Sequence, residues 1–326
     1  MKLKTVGGLM FVVLTWGASF IFIKYGLLDM PPITFAAYRF LLASSILLSS
    51  LLITGKYKKV LKFTRREILS VAVLGVINVF FYYIFEFYGL QFVPAGQASV
   101  IINTDPIIVT ILGAIFLGEL ITKRKVIGLI LGYTGVTLVV IATNPTLSGG
   151  IWSIIILGAA FSWAIGSLLA RKIAHNMDSY LMTAISVPFG TILLFAAAFI
   201  TEGFVPISNI SSLSWFSLIF LGIVSSVMTF FVWYEVLHDI EASTACITLL
   251  LVPIVTTILG VFLLFEFYTE ISVLGIALTL IGVYLAQSQQ NKKTAKPSII
   301  TSTESRTISP KSQILHKLVR RLILKI

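Results

Sequence analysis

Asn103-Thr104-Asp105-Pro106-Ile107-Ile108-Val109-Thr110-Ile111-Leu112-Gly113 runs on to Gly118-Glu119. The stretch is apolar enough to lie in lipid, yet it sets a carboxylate beside a proline. Part of it occurs twice. Adding 147 to each number gives Pro253-Ile254, Thr257-Ile258-Leu259-Gly260 and Glu266, with no gap. A membrane protein built from two copies of one unit is expected to move something rather than to catalyse something.

Composition supports the membrane setting. Of 326 residues, 57% are hydrophobic and 11% charged, and the mean hydropathy is +1.01. Soluble domains carry roughly 45–50% apolar and about 25% charged residues. The apolar runs are near-continuous and of the ~20-residue length that a spanning helix needs, not the ~10-residue alternation of barrel strands. Ten helices are expected, at 6–28, 33–54, 68–90, 95–118, 125–143, 151–171, 178–201, 213–236, 242–265 and 270–288. Turn chemistry separates them: Pro31-Pro32, Gly55, Pro94-Ala95-Gly96, Asn144-Pro145 with Gly149-Gly150, and Gly203 with Pro206. The first run is too long for a signal peptide and lacks a small-residue cleavage site.

The charges orient these helices. Lys2 and Lys4 precede the first. Lys56, Lys58, Lys59, Lys62, Arg65 and Arg66 follow the second, Lys123, Arg124 and Lys125 the fourth, Arg171 and Lys172 the sixth, and Lys292 and Lys293 the tenth. The alternate loops, 91–94, 144–150, 202–212 and 267–272, hold no Lys or Arg. The positive-inside rule then puts both termini in the cytoplasm of a multi-pass cell-membrane protein. Net charge is +11, of which the segment from Gln289 onward, with nine Lys/Arg and one Glu, carries +8. A nucleic-acid partner is not expected, because the other basic residues sit in short loops. Cys246 is the single cysteine, so no intrachain disulfide forms. With His175, His238 and His316 in loops or tail, and no His/Cys cluster, neither a metal site nor a cofactor is expected.

The 147-residue offset extends well beyond the opening stretch. Trp16 pairs with Trp163, Lys24 with Arg171, Gly75 with Gly222, Leu90 with Leu237, Gly128 with Gly275, Gly135 with Gly282 and Leu138 with Leu285. Each copy has five expected helices. Five is odd, so the second copy enters the membrane the other way up. The sequence therefore predicts an all-α integral membrane protein of ten transmembrane helices in two five-helix inverted repeats. The repeats span 1–144 and 149–288, and a basic cytoplasmic tail spans 289–326. Inverted repeats recur in secondary transporters, with the substrate near the midplane between the halves.

Ionisable groups within spans point to a partner or a pathway. At ~1.5 Å per residue, Lys24 lies about 6 Å, Arg39 about 9 Å, Glu86 about 6 Å and Asp105 on the order of 15 Å below the outer ends of their helices. In the second copy Arg171 replaces Lys24, but Arg39 becomes Ser186, Glu86 becomes Trp233 and Asp105 becomes Val252. The scaffold is symmetric and the charge is not. Lys24 near a helix end is read as snorkelling, Arg39 and Glu86 as either a structural pair or substrate ligands, and Glu119 and Glu266 as structural. Asp105 and Glu86 are the coupling candidates, with Asp105 carrying a proton or holding a substrate amine. The substrate-binding candidates are Trp16, Ser19, Phe20, Arg39, Asn78, Tyr82, Glu86, Asn103, Asp105, Trp163, Ser167 and Tyr234. Phe81, Tyr83 and Trp233 are further aromatics that could line a cavity, while the repeated glycines are read as close-packing positions.

The tail is Ser/Thr-rich and expected to be disordered from Lys292 to Ser312. It ends in a basic amphipathic helix, with apolar residues at 315, 318, 319, 322 and 326, suited to the anionic inner leaflet.

The pattern resembles the drug/metabolite transporter superfamily, and within it the EamA-type members. Trp16-Gly17-Ala18-Ser19-Phe20 is similar to their first-helix motif, Pro32 with Tyr38-Arg39-Phe40 to the second, and Pro106 through Gly118-Glu119 to the end of the fourth. The resemblance covers 6–288. It departs where Ser186 replaces the second arginine and Phe265 the glycine before Glu266, and Asp105 is not carried over from it. It implies export or exchange of small metabolites, amino acids or related compounds through a central cavity. The leading expectation is thus a secondary transporter exporting small organic metabolites, drugs among them, with protons and the lipid bilayer as partners, as a monomer or homodimer. An exchanger of phosphorylated metabolites or nucleotide sugars, which needs a cationic cavity, and an integral-membrane lipid-modifying enzyme stand as alternatives.

Overall fold

Proline, glycine and capping residues punctuate an otherwise apolar chain, and the helices begin and end on them. The computed structural model describes residues 3–93, 95–143, 150–174, 176–203, 207, 210–264 and 270–287. Besides a single turn at Tyr57–Val60, the helices are α1 (Leu3–Gly26), α2 (Pro32–Ile53), α3 (Arg65–Phe92), α4 (Ala95–Ile102), α5 (Asp105–Leu117), α6 (Lys123–Thr143), α7 (Gly150–Ala174), α8 (Ser179–Thr201), α9 (Ser212–Asp239), α10 (Ala242–Thr248), α11 (Val252–Leu264) and α12 (Glu270–Gln287). Among the described residues there is no strand. Eight of the described helical spans are long and apolar enough to cross a membrane. Met1–Gln290 forms one compact unit. Pro94, Asn144-Pro145, Gly149, His175, Pro206, Phe265, Glu266 and the tail with its expected amphipathic helix lie outside the described residues.

Local chemistry sets the bounds. Pro32 opens α2, where a missing N–H costs nothing. α3 starts at Arg65 instead of the expected 68 because Thr64 and Glu67 form a reciprocal capping box, Glu67 Oε2 accepting from the Thr64 N–H at 2.7 Å. The Asp178 carboxylate accepts from the Tyr180 and Leu181 N–H groups and starts α8. Gly118, at φ 68°, ends α5 in the left-handed region. Between α1 and α2, Asp29 accepts from the Ser211 N–H at 2.9 Å and from the Ser211 and Ser214 hydroxyls at 2.5 and 2.6 Å. Those bonds, the Ser211 hydroxyl foremost, hold its carboxyl below the usual carboxylate range.

The helix expected over 95–118 is broken. It divides at Asn103-Thr104 into α4 and α5. Pro106 has no N–H to give the carbonyl one turn back and its ring clashes there, so Thr104 begins a new helix. Pro253 imposes the matching break, a tight Leu249–Leu251 turn between α10 and α11.

Element bounds recur at the 147-residue spacing. α3 runs 65–92 and α9 212–239, while α5 runs 105–117 and α11 252–264. Both long helices widen into π-helix, at Val76–Phe81 and Phe220–Met228. Contacts recur too. Lys24 Nζ donates to the Leu90 carbonyl and Arg171 Nη1 to the Leu237 carbonyl. Ser44 and Thr191, themselves 147 apart, share a 2.8 Å bond. α6 and α12 form the most extensive helix pair, with a Cβ on Gly128 landing 2.5 Å from the Gly282 carbonyl oxygen and one on Gly135 landing 2.5 Å from that of Gly275.

The tightest helix–helix approach of this kind is at Gly75, where an added Cβ would lie 2.0 Å from the Ser186 carbonyl oxygen. Because that atom is backbone, α3 and α8 must part. Gly75→Ala is expected to cost about 1–3 kcal/mol and to lower the melting temperature of the purified protein. An unchanged melting temperature would mean that the two helices do not pack this closely.

Candidate functional site

Trp16 on α1 and Trp163 on α7 are equivalent positions of the two copies, and they meet edge-on with ring centroids 4.8 Å apart. Tyr82 packs on Trp163 at 5.3 Å and Trp233 on Trp16 at 5.4 Å. Trp16, Trp163 and Tyr82 floor a small cavity of about 40 Å³, lined also by Ser19, Phe20, Ile23, Arg39, Tyr83, Glu86, Ile102, Asn103, Asp105, Leu249 and Val252. The volume admits a few waters, at roughly 10–15 Å³ each. It is well short of the ~300 Å³ at which ligand pockets begin, so the helices are drawn in around the site.

Of the residues singled out from sequence, Trp16, Ser19, Phe20, Arg39, Tyr82, Glu86, Asn103, Asp105 and Trp163 come together here. Asn78, Ser167 and Tyr234 are fully buried but are not among its lining residues. Phe81 is half exposed on the outside of α3. Tyr83 was not among the chosen twelve, yet it lines the cavity and bonds Arg39.

Arg39 is 1% exposed. Its Nε donates to Ser226 Oγ at 2.9 Å, and its Nη2 to the Tyr83 hydroxyl and Ser225 Oγ, both at 3.2 Å. The guanidinium carbon also lies 4.7 Å over the Tyr83 ring, a favourable cation–π placement. Ser225 is pinned in turn by Ser19 at 2.6 Å. These bonds fix the guanidinium plane and leave Nη1 without a partner. Glu86 receives the Tyr82 hydroxyl on Oε1 at 3.3 Å, and its Oε2 is unpartnered. Asp105 Oδ2 and Trp163 Nε1 are likewise buried and unpartnered. The broken helix accounts for Asp105: the carboxylate sits on the first turn of α5, with Thr104 as the N-cap residue, where the helix dipole favours negative charge. One wall therefore offers a cation with a free N–H, and two carboxylates each offer a free oxygen.

One end of the molecule, the one bearing the Lys123–Lys125 corner, is closed by an ionic cluster. Glu119 accepts from the Ala242 N–H at 2.9 Å, the Ser243 N–H at 3.2 Å and the Ser243 hydroxyl. It thereby satisfies the first backbone donors of α10 from across the repeat, which is the structural role expected of it. Lys125 bonds Glu241 and Ser243 Oγ, each at 2.7 Å. At the equivalent of Ser243, Gly96, a Cβ would meet nothing within 4 Å. Lys24 does not simply snorkel, since its ammonium is held by the Leu90 carbonyl.

Comparison with known proteins bears on this arrangement. The model of the EamA-like transporter family matches residues 3–141 and again 150–287. An uncharacterized transporter of Archaeoglobus fulgidus is 32% identical over 90% of this chain and 100% of its own length. A probable amino-acid metabolite efflux pump of Escherichia coli is 28% identical over 84% of this chain and 91% of its own. A crystal structure of a protein superposes with a TM-score of 0.73 at 19% identity, covering 90% of this chain and 99% of that one, which speaks to the fold alone.

Proposed function

The chain belongs to the EamA-like transporter family, and from that premise we propose that it exports small zwitterionic metabolites, amino acids or close relatives, across the cytoplasmic membrane by alternating access. The observation that carries this reading is the pairing of unmet groups in one cavity. Arg39 Nη1 is a cationic donor with no partner, and Glu86 Oε2 and Asp105 Oδ2 are carboxyl oxygens with none. A buried polar atom left unpaired is costly. An α-amino acid satisfies all three, its carboxylate on Arg39 and its ammonium on the carboxylates. The wall of Trp16, Trp163 and Tyr82 is left for its side chain.

The proposed architecture is ten spans in two inverted five-helix repeats, with both termini cytoplasmic. It is supported by the recurrence of bounds and contacts at the 147-residue spacing and by the alternation of basic loops. The small cavity supports a cycle in which the halves must part to admit substrate. Asp105 and Glu86 are the proposed proton carriers. Their number also weighs against phosphorylated substrates, which would meet two carboxylates for one guanidinium.

The test is uptake into proteoliposomes across a panel of amino acids, amines and phosphorylated sugars, with and without a pH gradient. Amino acids are expected to move, and faster with the gradient. Asp105→Asn is expected to remove the gradient's effect, and to lower exchange of labelled for unlabelled substrate less than it lowers gradient-driven uptake. Equal rates with and without the gradient in the unmodified protein would end the proton-coupling reading. Flux of phosphorylated sugars alone would end the amino-acid one.

A further inference from the structure

Between α5 and α6 lies a groove of about 650 Å³, walled by Ile107 and Ile111 on one side and by Val126, Leu129, Ile130 and Tyr133 on the other. The two helices follow one another in sequence but scarcely touch. α5 packs on α7 and α10, and α6 packs on α12. Glu119 and Lys125 tie both to the start of α10 instead of to each other. Among the described residues, no side chain lining the groove is charged. The Thr134 and Thr137 hydroxyls bond carbonyls of their own helix at 2.9 and 2.8 Å, so neither asks for a partner from outside. The volume falls in the ~300–1,000 Å³ range of ligand pockets, and an apolar hollow left empty forfeits dispersion contacts along its walls.

We infer that this groove is a lipid site: it takes one acyl chain of an anionic phospholipid, whose phosphate rests beside Lys123 and Arg124. Charge and length choose this occupant. Lys123 lies three residues before Val126 and seven before Ile130, so it stands on the same stripe of α6 that walls the groove. Lys123 and Arg124 are exposed, while Lys125 turns inward to Glu241 and Ser243. A second copy of the chain docked here through a two-fold axis would bring another basic corner to the same level, like charge beside like. From Val126 to Leu138, both on the groove wall, the helix rises about 18 Å at ~1.5 Å per residue. One leaflet of a bilayer is about 15 Å of hydrocarbon, half of ~30 Å, so a single chain runs the length of the groove. On the proposed topology the basic corner meets the inner leaflet, the one rich in anionic lipid, and that orientation is all the inference takes from the reading above. The groove also reaches the core. The Tyr133 hydroxyl bonds the Val100 carbonyl at 3.3 Å, in the last turn of α4 before the break. A chain packed on that ring braces α6 against the broken helix.

Native mass spectrometry of the purified full chain tests this, with phosphatidylglycerol and phosphatidylcholine of the same acyl chains titrated in turn. Each Lys or Arg near an anionic surface contributes about fivefold in affinity, so the first phosphatidylglycerol is expected to bind at least ~tenfold more tightly than phosphatidylcholine. Lys123→Ala with Arg124→Ala is expected to erase that preference and leave phosphatidylcholine unaffected. Thr134→Trp and Ile130→Trp, both at exposed positions of the groove wall, fill it and are expected to weaken both lipids. Two filling variants are used so that one with a lowered melting temperature does not decide the matter. The segment from Gln289 onward is the same in every variant, so any lipid it holds cancels. Equal affinity for the two lipids in the unmodified chain would overturn the anionic site. Unchanged phosphatidylglycerol binding in both filling variants would overturn the groove as its seat. A dimer that forms without lipid and is lost in both filling variants would give the groove to a second copy and overturn the lipid. Binding in detergent is read without substrate or membrane orientation, so failure here leaves the transport reading standing, and failure of amino-acid flux leaves the lipid site standing.

Discussion

Arg39→Ala is expected to abolish transport of amino acids in practical terms, with kcat/KM falling by ~10²–10³-fold. Truncating one member of a desolvated, hydrogen-bonded charge pair costs about 2–5 kcal/mol, and every ~1.4 kcal/mol is tenfold. Two effects add here. The substrate carboxylate loses its partner, and Glu86 and Asp105 are left as two buried carboxylates without the cation that shares their cavity. Arg39→Lys is expected to recover part of the loss. It keeps the charge but loses the planar fork, so it cannot hold Ser226, Ser225 and Tyr83 at once. The loss should be selective. Amines that lack a carboxylate are expected to be transported by Arg39→Lys nearly as well as by the unmodified protein, whereas amino acids are not. Equal losses for amines and amino acids in both variants, with a lowered melting temperature, would make Arg39 a strut between α2 and α9 and not a substrate ligand.

The 147-residue recurrence of helix bounds was legible in the sequence because the residues that repeat are those whose place is fixed by sterics. At Gly75 an added Cβ would strike the Ser186 backbone, at Gly222 one would crowd the Leu42 side chain, and Pro106 and Pro253 each open a helix after a break. The cavity was legible in its charged members, because ionisable groups in an apolar run are few and each needs a reason. Tyr83 stands in the sequence reading only among the further aromatics, although position 83 lies three residues before Glu86 and so shares its helix face. Ser225 and Ser226, which aim Arg39, lie in the π-helical stretch Phe220–Met228. No 3.6-residue period announces such a widening, so their direction could not be read. Asn78 and Ser167, polar residues in apolar runs, and Tyr234, one of the aromatics, are fully buried outside the lining of the main cavity. The start of α3 was missed by three residues for want of reading Thr64-Arg65-Arg66-Glu67 as a capping box.

The second large effect is expected at the end bearing the Lys123–Lys125 corner, where, on the proposed alternating-access cycle, Glu119→Ala should shift the protein toward the form open at that end. In the closed form the Glu119 carboxylate takes three donors from the start of α10, and hydrogen bonds to a charged group contribute about 1.5–3 kcal/mol. These contacts lie at the end bearing the Lys123–Lys125 corner, so on the proposed cycle they stabilise the form closed at that end. At about 2 kcal/mol, their loss moves the equilibrium between the two forms by roughly 30-fold. An equilibrium displaced that far slows turnover, because the rare form limits the cycle, while substrate binding measured from the cytoplasmic side tightens. Lys125 and Glu241 add a second tie. The Lys125 side chain is 7% exposed and that of Glu241 39% exposed, so the pair is only partly screened and its loss is expected to act in the same direction with smaller size. The double exchange Lys125→Glu with Glu241→Lys should restore much of what either single change removes. Because the residues touch, the cycle is expected to be non-additive. Additivity within ~0.3–0.5 kcal/mol, read from cytoplasmic thiol accessibility and turnover alike, would show that the pair does not hold the closed end. A Glu119→Ala protein that turns over normally would remove the clamp at α10 from the transport cycle.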